Sequence, residues 1–229
     1  MTSDTAIVLG ATGAIGTQLV TQLSQRDDVT NIILISRREV DVLLSFPEAI
    51  ISKIKNHVVD FEQLEQHSKP LIPTNSVAFI ALGTTQKQAG SKAAFRHIDH
   101  DLVLAFARAC KSAVVIRLGV VTAHGANIRS ASFYNRVKGE VERDIQSLGL
   151  TSVFFARPSL LLGRPDDGRF AEKLADGLLG PIASFLPKSI RPISTKCVAA
   201  AMIDVAYNEF KSDSFVLSNA EMHQRNVKY

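Results

Sequence analysis

The stretch Ala6-Ile7-Val8-Leu9-Gly10-Ala11-Thr12-Gly13-Ala14-Ile15-Gly16 decides the fold of this chain. A short apolar run leads into three glycines, each separated from the next by two residues, and a segment with helical apolar periodicity follows. Gly10 permits a tight turn, Gly13 leaves no side chain where backbone must approach a pyrophosphate, and Gly16 lets the helix lie close to the strand. Because the first N–H groups of a helix lack intrahelical partners, they are available to phosphates. We therefore predict a dinucleotide-binding strand, turn and helix, with residues 10–16 forming the phosphate-binding turn.

Outward from this unit, short apolar runs alternate with amphipathic segments, which is typical of repeated βα units. The runs are nearly continuous in apolar residues, as expected of strands that are covered on both faces. The pattern predicts a doubly wound parallel sheet, the Rossmann fold, with three layers. Strands are predicted at 5–9, 31–36, 56–59, 76–82, 113–118 and 151–156, and the clearest helices at 14–25, 91–111 and 132–148. Pro47 interrupts the segment 39–53, which is predicted to be a broken helix or a loop.

The size and composition of the chain favour a single domain. Its 229 residues are 46% hydrophobic and 21% charged, which suffices for one continuous core and leaves little for a second domain. We expect the core of the fold in residues 1–157 and a small substrate lobe or lid in residues 158–229. Within that lobe we predict a loop, two helices, a strand and a frayed tail, in that order: 163–168, 169–179, 195–210, 214–218 and 221–229.

Charge and residue spacing argue against several classes of partner. The formal net charge is +4 and the basic residues are scattered, so nucleic-acid binding is not expected. The apolar runs are far shorter than the ~20 residues of a membrane-spanning helix, so no membrane span is expected. The six histidines do not pair at metal-ligand spacing, and no metal site is predicted. Because the first residues do not resemble a signal peptide, we expect a cytoplasmic protein.

The end of the second predicted strand indicates which dinucleotide is bound. An NAD site places a carboxylate there, about 20 residues past the glycines, to accept hydrogen bonds from the ribose 2′-OH. This chain has Arg37 and Arg38 after Ser36. Two guanidinium groups attract a 2′-phosphate, and they leave a free 2′-OH without its usual acceptor. We therefore predict NADP(H), with NAD(H) as the weaker alternative.

Two further segments are predicted to line the coenzyme. Asp60 and Phe61 follow the third strand, where the Asp60 carboxylate can bind an adenine amino group or, equally well, cap a helix. After the fourth strand, small residues and a hydroxyl are expected beside the nucleotide ribose. They are Ala81, Leu82, Gly83 and Thr84.

Tyr134 and Lys138 are the catalytic candidates. They lie one turn apart on the predicted helix 132–148, beside an apolar stripe, and therefore point the same way. An ammonium near a phenol favours the ionised phenol, which can exchange a proton with a carbonyl oxygen while nicotinamide supplies the hydride. Tyr-x-x-x-Lys is common by chance, so the argument depends on its place after the fifth strand of a chain that opens with a dinucleotide turn.

Together these motifs resemble the short-chain dehydrogenase/reductase superfamily in its extended or atypical branch. The segments 81–85, 134–142 and 157–162 are similar to those of the NADPH-binding Tat-interacting oxidoreductase-like proteins. The resemblance implies that Tyr134 is the general acid/base, that Lys138 binds the nicotinamide ribose and tunes the tyrosine, and that Thr122 holds the substrate carbonyl. It also implies that the nicotinamide amide lies along Arg157, Pro158, Ser159 and Leu160. The asparagine common in this superfamily is not found near residues 97–99, so no proton relay through it is expected.

These observations favour an NADP(H)-dependent oxidoreductase that acts on a small carbonyl or alcohol substrate. One alternative is an NADPH-binding sensor or regulatory protein with little turnover; the retained Tyr134 and Lys138 disfavour it. A second alternative is a nucleotide-sugar epimerase-like enzyme, for which the segment after Arg157 is short. The chain is expected to be a monomer or a homodimer, and related enzymes pair through helices corresponding to 91–111 and 132–148.

Overall fold

The computed structural model describes residues 4–40, 47–162, 186–209 and 213–225. The strands in these ranges are β1 (Thr5–Leu9), β2 (Asn31–Ser36), β3 (Ile54–Val58), β4 (Val77–Ile80), β5 (Arg117–Val121), β6 (Ser152–Arg157), β7 (Leu161–Leu162), β8 (Ile193–Ser194) and β9 (Asp213–Ser218). Seven of them form one parallel sheet in the order β3-β2-β1-β4-β5-β6-β9, and β7 pairs with β8. This order contains the doubly wound order predicted for dinucleotide-binding sheets.

Helices cover both faces of the sheet. In chain order they are α1 (Ala14–Ser24), α2 (Glu48–Ile51), α3 (Leu64–Ser68), α4 (Gln86–Ala89), α5 (Lys92–Arg96), α6 (Leu102–Ser112), α7 (Phe133–Gln146), α8 (Thr195–Asn208) and α9 (Asn219–Gln224). Among the described helices, none combines the length and the apolar content needed to cross a bilayer.

The hydrophobic core has two halves, one on each face of the sheet. Successive strand residues point to opposite faces. Val8 and Phe79 therefore pack with α1 and α8, whereas Leu9 and Ile80 pack with α6 and α7. All four side chains are fully buried. The prediction of a three-layer Rossmann fold is confirmed.

Parallel strands place their carboxyl ends at one edge of the sheet, and the functional candidates follow those ends. The chain leaves β1 toward α1 on one face and leaves β4 toward the helices of the other face. The gap between β1 and β4 is thus the topological switch point, where sheets of this type bind ligands.

The long predicted helix 91–111 is present as a continuous helical segment over residues 92–112 that contains a π-type turn. α5 passes into a wide π-type turn at His97–Asp101 before α6 begins. Two polar residues of this turn, Asp99 and His100, are buried. The prediction of a helix over 91–111 is therefore confirmed, and the π-type turn within it brings Asp99 and His100 to partners on α7.

The predicted strand 113–118 was placed too early, because β5 runs over Arg117–Val121. Val114 and Val115 close the end of α6 instead, donating hydrogen bonds to the carbonyls of Lys111 and Cys110. Arg117 is a buried strand residue whose guanidinium donates to carbonyls at the end of α8. Apolar β-branched residues in a helix-ending turn and a charged residue in a strand caused the error.

The polar tail is partly helical, which corrects the expectation that it is frayed from residue 221. Ser218 caps α9, and the Glu221 carboxylate accepts a hydrogen bond from the backbone N–H of Ser218, so a capping box holds this short helix. The predicted loop 163–168 and helix 169–179 lie outside the described residues. Pro47 precedes α2, a single short helical turn, in agreement with a broken segment there.

Candidate functional site

The turn after β1 has no room for side chains at two of its glycines. Gly10 has a φ of +90°, and a Cβ there would lie 2.6 Å from the backbone N of Leu82. A Cβ at Gly16 would lie 2.0 Å from the carbonyl O of Gly10. Both contacts are impossible for real atoms, so α1 approaches β1 and β4 this closely because these positions are glycine.

Gly13 differs from these two glycines. It is the N-cap of α1 in extended backbone, and a Cβ there would meet nothing closer than the Gly10 carbonyl O at 3.4 Å. No side chain caps α1, and its first turn contains no acidic residue. The first N–H groups of an α-helix have no intrahelical acceptor, and here no carboxylate competes for them. This end of α1 therefore fits a diphosphate.

The end of β2 carries the two predicted arginines on the surface. Arg37 and Arg38 are exposed, and the Arg37 guanidinium lies 5.7 Å from the ring centroid of Phe61. A carboxylate that the sequence reasoning overlooked, Glu39, is held by a hydrogen bond from Asn56 Nδ2 at 3.0 Å. The surface at the end of β2 therefore contains two cations and one hydrogen-bonded acid.

Asp60 acts as a helix cap, one of its two predicted roles. Its Oδ1 accepts from the backbone N–H of Glu62 at 3.0 Å, at the start of the short helical turn Phe61–Gln63. The side chain is exposed. Binding of an adenine amino group stays a prediction.

Tyr134 and Lys138 lie on one face of α7, as predicted. The Tyr134 ring packs on Phe95 of α5, with 5.5 Å between ring centroids, and Phe95 is fully buried. One side of the Tyr134 ring therefore faces α5. Ser132 begins α7 by accepting a hydrogen bond from the backbone N–H of Asn135.

Lys138 is buried and forms an ion pair. Its Nζ lies 2.7 Å from Asp99 Oδ1, with side-chain exposures of 5% and 1%. Burial by itself lowers the pKa of Lys138, but the negative charge of Asp99, helped by Tyr134 and Glu142, outweighs it, so the pKa stands above its usual value. The ammonium is therefore charged at neutral pH.

Thr122 has a partner that the sequence reasoning did not foresee. Its hydroxyl donates to Glu142 Oε1 at 2.6 Å, and both residues are buried. Arg157 donates to the same carboxylate from Nε at 3.0 Å and from a terminal nitrogen. The Ala156 carbonyl is a second acceptor for the Thr122 hydroxyl, at 3.3 Å, so both of its acceptors belong to the protein, and the assignment of Thr122 as the group that holds a substrate carbonyl stays a prediction.

The segment after β6 is held by a buried asparagine. Asn219 of α9 accepts from the backbone N–H of Ser159 at 2.9 Å and donates to the carbonyls of Lys188 and Arg191. His124 donates its backbone N–H to the Pro158 carbonyl. Leu160 is 50% exposed. A predicted nicotinamide-binding segment is therefore anchored in place, with an apolar side chain facing outward.

Gly83 lies between the glycine turn after β1 and the Asp99–Lys138 ion pair. The two residues before it, Ala81 and Leu82, contact Gly10, while a Cβ on Gly83 would lie 3.1 Å from Asp99 Oδ1 and 3.7 Å from Lys138 Nζ. Thr84 donates its backbone N–H to Asp99 Oδ2 at 2.9 Å. The loop 81–84 therefore lies between the phosphate-binding turn and Lys138.

Sequence reasoning missed Asp99, Glu142 and Asn219. Glu142 follows Tyr134 and Lys138 at the same four-residue spacing, so extending that pattern by one turn would have found it. Asp99 and Asn219 carried no local signal, because their partners lie far away in the chain.

No protein-family model matches the chain. The protein fmp52 of Emericella nidulans, named mitochondrial, is 34% identical over 182 residues, which are 78% of this chain and 77% of that protein. HTATIP2 of Rattus norvegicus is 31% identical over 182 residues, which are 80% of this chain and 73% of that protein. The structure of MoeE5 in complex with UDP-glucose and NAD has a TM-score of 0.66 at 16% identity, covering 93% of this chain and 75% of MoeE5. At that identity the likeness shows a shared fold.

The expectation of a cytoplasmic protein is wrong on this comparison. It depended on the absence of a secretory signal, whereas fmp52 relatives from several fungi are named mitochondrial. A secretory signal is only one kind of targeting information, so its absence did not determine the location.

Proposed function

This chain belongs to the short-chain dehydrogenase/reductase superfamily, in the family of the fmp52 and HTATIP2 proteins, and on that premise we propose that it is an NADP(H)-dependent oxidoreductase. Its substrate is a small carbonyl compound or the corresponding alcohol. The observation that carries the proposal is the contact of the loop 81–84 with Gly10 on one side and with the Asp99–Lys138 pair on the other.

The coenzyme is held by groups from four strand ends. The first N–H groups of α1 bind the diphosphate, and Arg37 and Arg38 bind the 2′-phosphate. Asp60 and Phe61 face the adenine, and the segment 157–160 faces the nicotinamide amide. Bound NADPH supplies the hydride.

Tyr134 is the general acid/base of the proposed reaction. Its ring packs on Phe95, and Lys138 lies on the same helical face one turn away. In the reducing direction Tyr134 gives its proton to the substrate oxygen, and Lys138 stabilises the phenolate that is left. In the oxidising direction the phenolate takes that proton back.

An NADPH-binding regulatory protein with little turnover is the second candidate. The hydrogen bond from Thr122 to Glu142 favours it, because a hydroxyl that already donates its proton cannot also donate to a substrate carbonyl. The two candidates differ in turnover and not in coenzyme affinity. Measuring both quantities on one preparation separates them.

A nucleotide-sugar epimerase-like enzyme is the third candidate. It is favoured by the UDP-glucose bound to MoeE5, whose fold is shared. A panel of UDP-sugars tests it, because epimerisation changes the sugar without net consumption of coenzyme. Interconversion of a UDP-sugar without added NADPH would support the epimerase and contradict the proposed reduction.

We place the protein in mitochondria, on the names of its fmp52 relatives. Fractionation of cells that express the chain with a C-terminal tag tests this location. Protection of the tag from protease in intact mitochondria is the expected result, and recovery in the cytosolic fraction contradicts it.

The coenzyme is tested by titration with NADPH and NADH. We expect tighter binding of NADPH, and each of Arg37→Ala and Arg38→Ala is expected to weaken NADPH binding by about tenfold, the effect of a lost charge-assisted hydrogen bond. NADH affinity changes little. Lys69→Ala removes one charge from an exposed position beyond α3 and serves as the matched control. Unchanged NADPH preference in the double arginine variant would remove the basis for NADP(H).

The catalytic assignment is tested with a panel of aldehydes and ketones. Tyr134→Phe keeps the ring against Phe95 and removes the acid, so turnover is expected to fall at least about 100-fold with NADPH affinity unchanged. Tyr207→Phe is the matched control, because Tyr207 lies on α8 within the opposite core half. A Tyr134→Phe variant as active as the native protein contradicts the assignment.

A further inference from the structure

Asp99 is a buried carboxylate with two partners in the site. It lies in the wide turn His97–Asp101 between α5 and α6, with a side chain only 1% exposed. One oxygen contacts Lys138 Nζ at 2.7 Å, and the other accepts the backbone N–H of Thr84 at 2.9 Å. The same side chain thus touches a candidate catalytic residue and the loop that follows β4.

The helix geometry around Asp99 is unusual. A π-type turn is a rare departure from α-helix that occurs frequently at functional sites. In this turn Asp99 and His100 are both buried, and they face different partners on α7. His100 lies between Asp101 and Asp144, at 2.8 and 2.9 Å, and therefore does not compete for Lys138.

The charges around Lys138 come from several elements, and the Asp99 carboxylate is the one that pairs with it directly. Its own helix contributes Tyr134 and Glu142, but Glu142 is already paired with Arg157 of β6 and accepts the Thr122 hydroxyl of β5. The loop after β4 contributes only backbone at Gly83 and Thr84. A buried ammonium without a counter-ion loses its proton readily, so the charge of Lys138 depends on Asp99.

We propose that Asp99 is a positioning residue that keeps Lys138 charged and holds it between the loop 81–84 and Tyr134. Only the catalytic consequence of this role rests on the proposed function; the electrostatic role is a property of the protein alone. An asparagine in this place would fill the same space and accept the Thr84 hydrogen bond, but it would leave Lys138 without a counter-ion. The negative charge of the Asp99 carboxylate, and not its size or its hydrogen bond with Thr84, is what keeps Lys138 charged.

The first test compares the melting temperatures of the native protein and Asp99→Asn between pH 7 and pH 9.5, without coenzyme. In the native protein the pKa of Lys138 is higher than that of lysine in the unfolded chain. The ion pair therefore contributes its full stabilisation at pH values below the pKa of the unfolded lysine, and this contribution is lost only as the pH rises above that value. In Asp99→Asn the direct counter-ion is lost and only the weaker contributions of Tyr134 and Glu142 oppose burial, so we expect the pKa of Lys138 to fall, folding to disfavour the protonated lysine, and the penalty to shrink as pH rises. The difference in melting temperature should therefore be large at pH 7 and narrow steadily toward pH 9.5.

Two variants separate this role from packing. Glu140→Gln removes the ion-pair partner of Arg96, and this pair links α5 to α7. Arginine keeps its proton throughout this pH range. The loss of melting temperature in Glu140→Gln should therefore not change with pH. In a Lys138→Met background Asp99→Asn should no longer destabilise the protein, even if Asp99→Asn alone fails to fold at pH 7. A penalty that is independent of pH, or that persists beside Lys138→Met, overturns the proposal.

The second test measures turnover with the carbonyl panel. Asp99→Asn is expected to lower kcat by at least about tenfold with KM changed less than threefold, because the loss falls on the protonation of Lys138 and not on substrate contacts. Native kcat in Asp99→Asn overturns the positioning role. If the difference in melting temperature between the native protein and Asp99→Asn narrows with pH but the native protein turns over no substrate, the proposed function fails while the electrostatic role of Asp99 stands.

Discussion

The three glycines after β1 lack side chains for different reasons. At Gly10 and Gly16 a Cβ would collide with the protein's own backbone, so these positions are required for folding. At Gly13 the backbone is extended and the space around a Cβ is sufficient, so folding does not require glycine there. In the proposed function, glycine at this position leaves room for the diphosphate.

Gly13→Ala should therefore separate folding from binding. We expect a melting temperature close to that of the native protein, because the added methyl group meets the Gly10 carbonyl only at ordinary contact distance. NADPH affinity should fall by about tenfold or more, since a methyl group that moves a phosphate out of hydrogen-bond range loses roughly 1–2 kcal/mol. Thermal melting and a coenzyme titration of the same preparation give both numbers.

Gly16→Ala is the contrasting variant. Its Cβ would lie 2.0 Å from the Gly10 carbonyl O, so α1 must move away from β1, and we expect the variant to unfold or aggregate. If Gly13→Ala bound NADPH as tightly as the native protein, the diphosphate would not lie against this turn. If Gly16→Ala folded normally, the close packing of α1 would be relaxed more easily than the geometry implies.

At the scale of elements, the end of α6 shows a residue in an unfavourable conformation. Val114 follows the helix with a φ of 57°, a left-handed conformation that β-branched residues rarely adopt, and its side chain is 57% exposed. The backbone N–H groups of Val115 and Val114 donate to the carbonyls of Cys110 and Lys111, which is the hydrogen-bond pattern of a helix end that usually contains glycine. The helix end therefore keeps its geometry at the cost of strain in one residue.

Val114→Gly is expected to stabilise the protein by about 1 kcal/mol, the cost of the left-handed conformation less the extra freedom of glycine in the unfolded chain. For a chain of this length that is a rise of about 2–4 °C in melting temperature. Gly149→Ala is the reciprocal control, because Gly149 has a φ of 62° near the end of α7. This variant should be less stable than the native protein by a similar free energy of unfolding. A lower melting temperature for Val114→Gly would show that the valine side chain contributes packing that outweighs the strain.

At the scale of the whole molecule, the outer surface of α6 and α7 is polar. It carries ion pairs of Arg108 with Glu65 and of Arg143 with Asp144, and none of the exposed large hydrophobic side chains in the described ranges lies on either helix. Stable homodimer interfaces need a large and largely apolar contact. The pairing of related enzymes through the corresponding helices therefore has little support in this surface.

We expect the protein to be a monomer in solution. Size-exclusion chromatography with light scattering should give a mass near 24.9 kDa at micromolar concentration, with and without NADPH. A mass of twice that value would contradict the expectation. Reversal of the charge at Arg143 would then show whether α7 forms the contact, because only a dimer through α7 would dissociate.

Most of the fold was predictable from local patterns. The glycine turn, the boundaries of β1 and β2 and the common face of Tyr134 and Lys138 follow from backbone sterics and from periodicities that act over a few residues. The errors occurred where local and distant demands conflict. Val114 and Val115 have strand-like side chains but end a helix, and Arg117 lies inside a strand because carbonyls of α8 satisfy it.

The sequence by itself determined that this chain folds as a doubly wound sheet with a glycine turn between β1 and α1 and with a tyrosine–lysine pair on one helix. Only the tertiary structure decided which counter-ion Lys138 has, which acceptors the Thr122 hydroxyl faces and where a π-type turn occurs within the helix. The physical reason is the range of the interactions. Dihedral preferences and amphipathic spacing depend on residues that are close together in the sequence, whereas a buried ion pair depends on which strand ends the fold brings side by side.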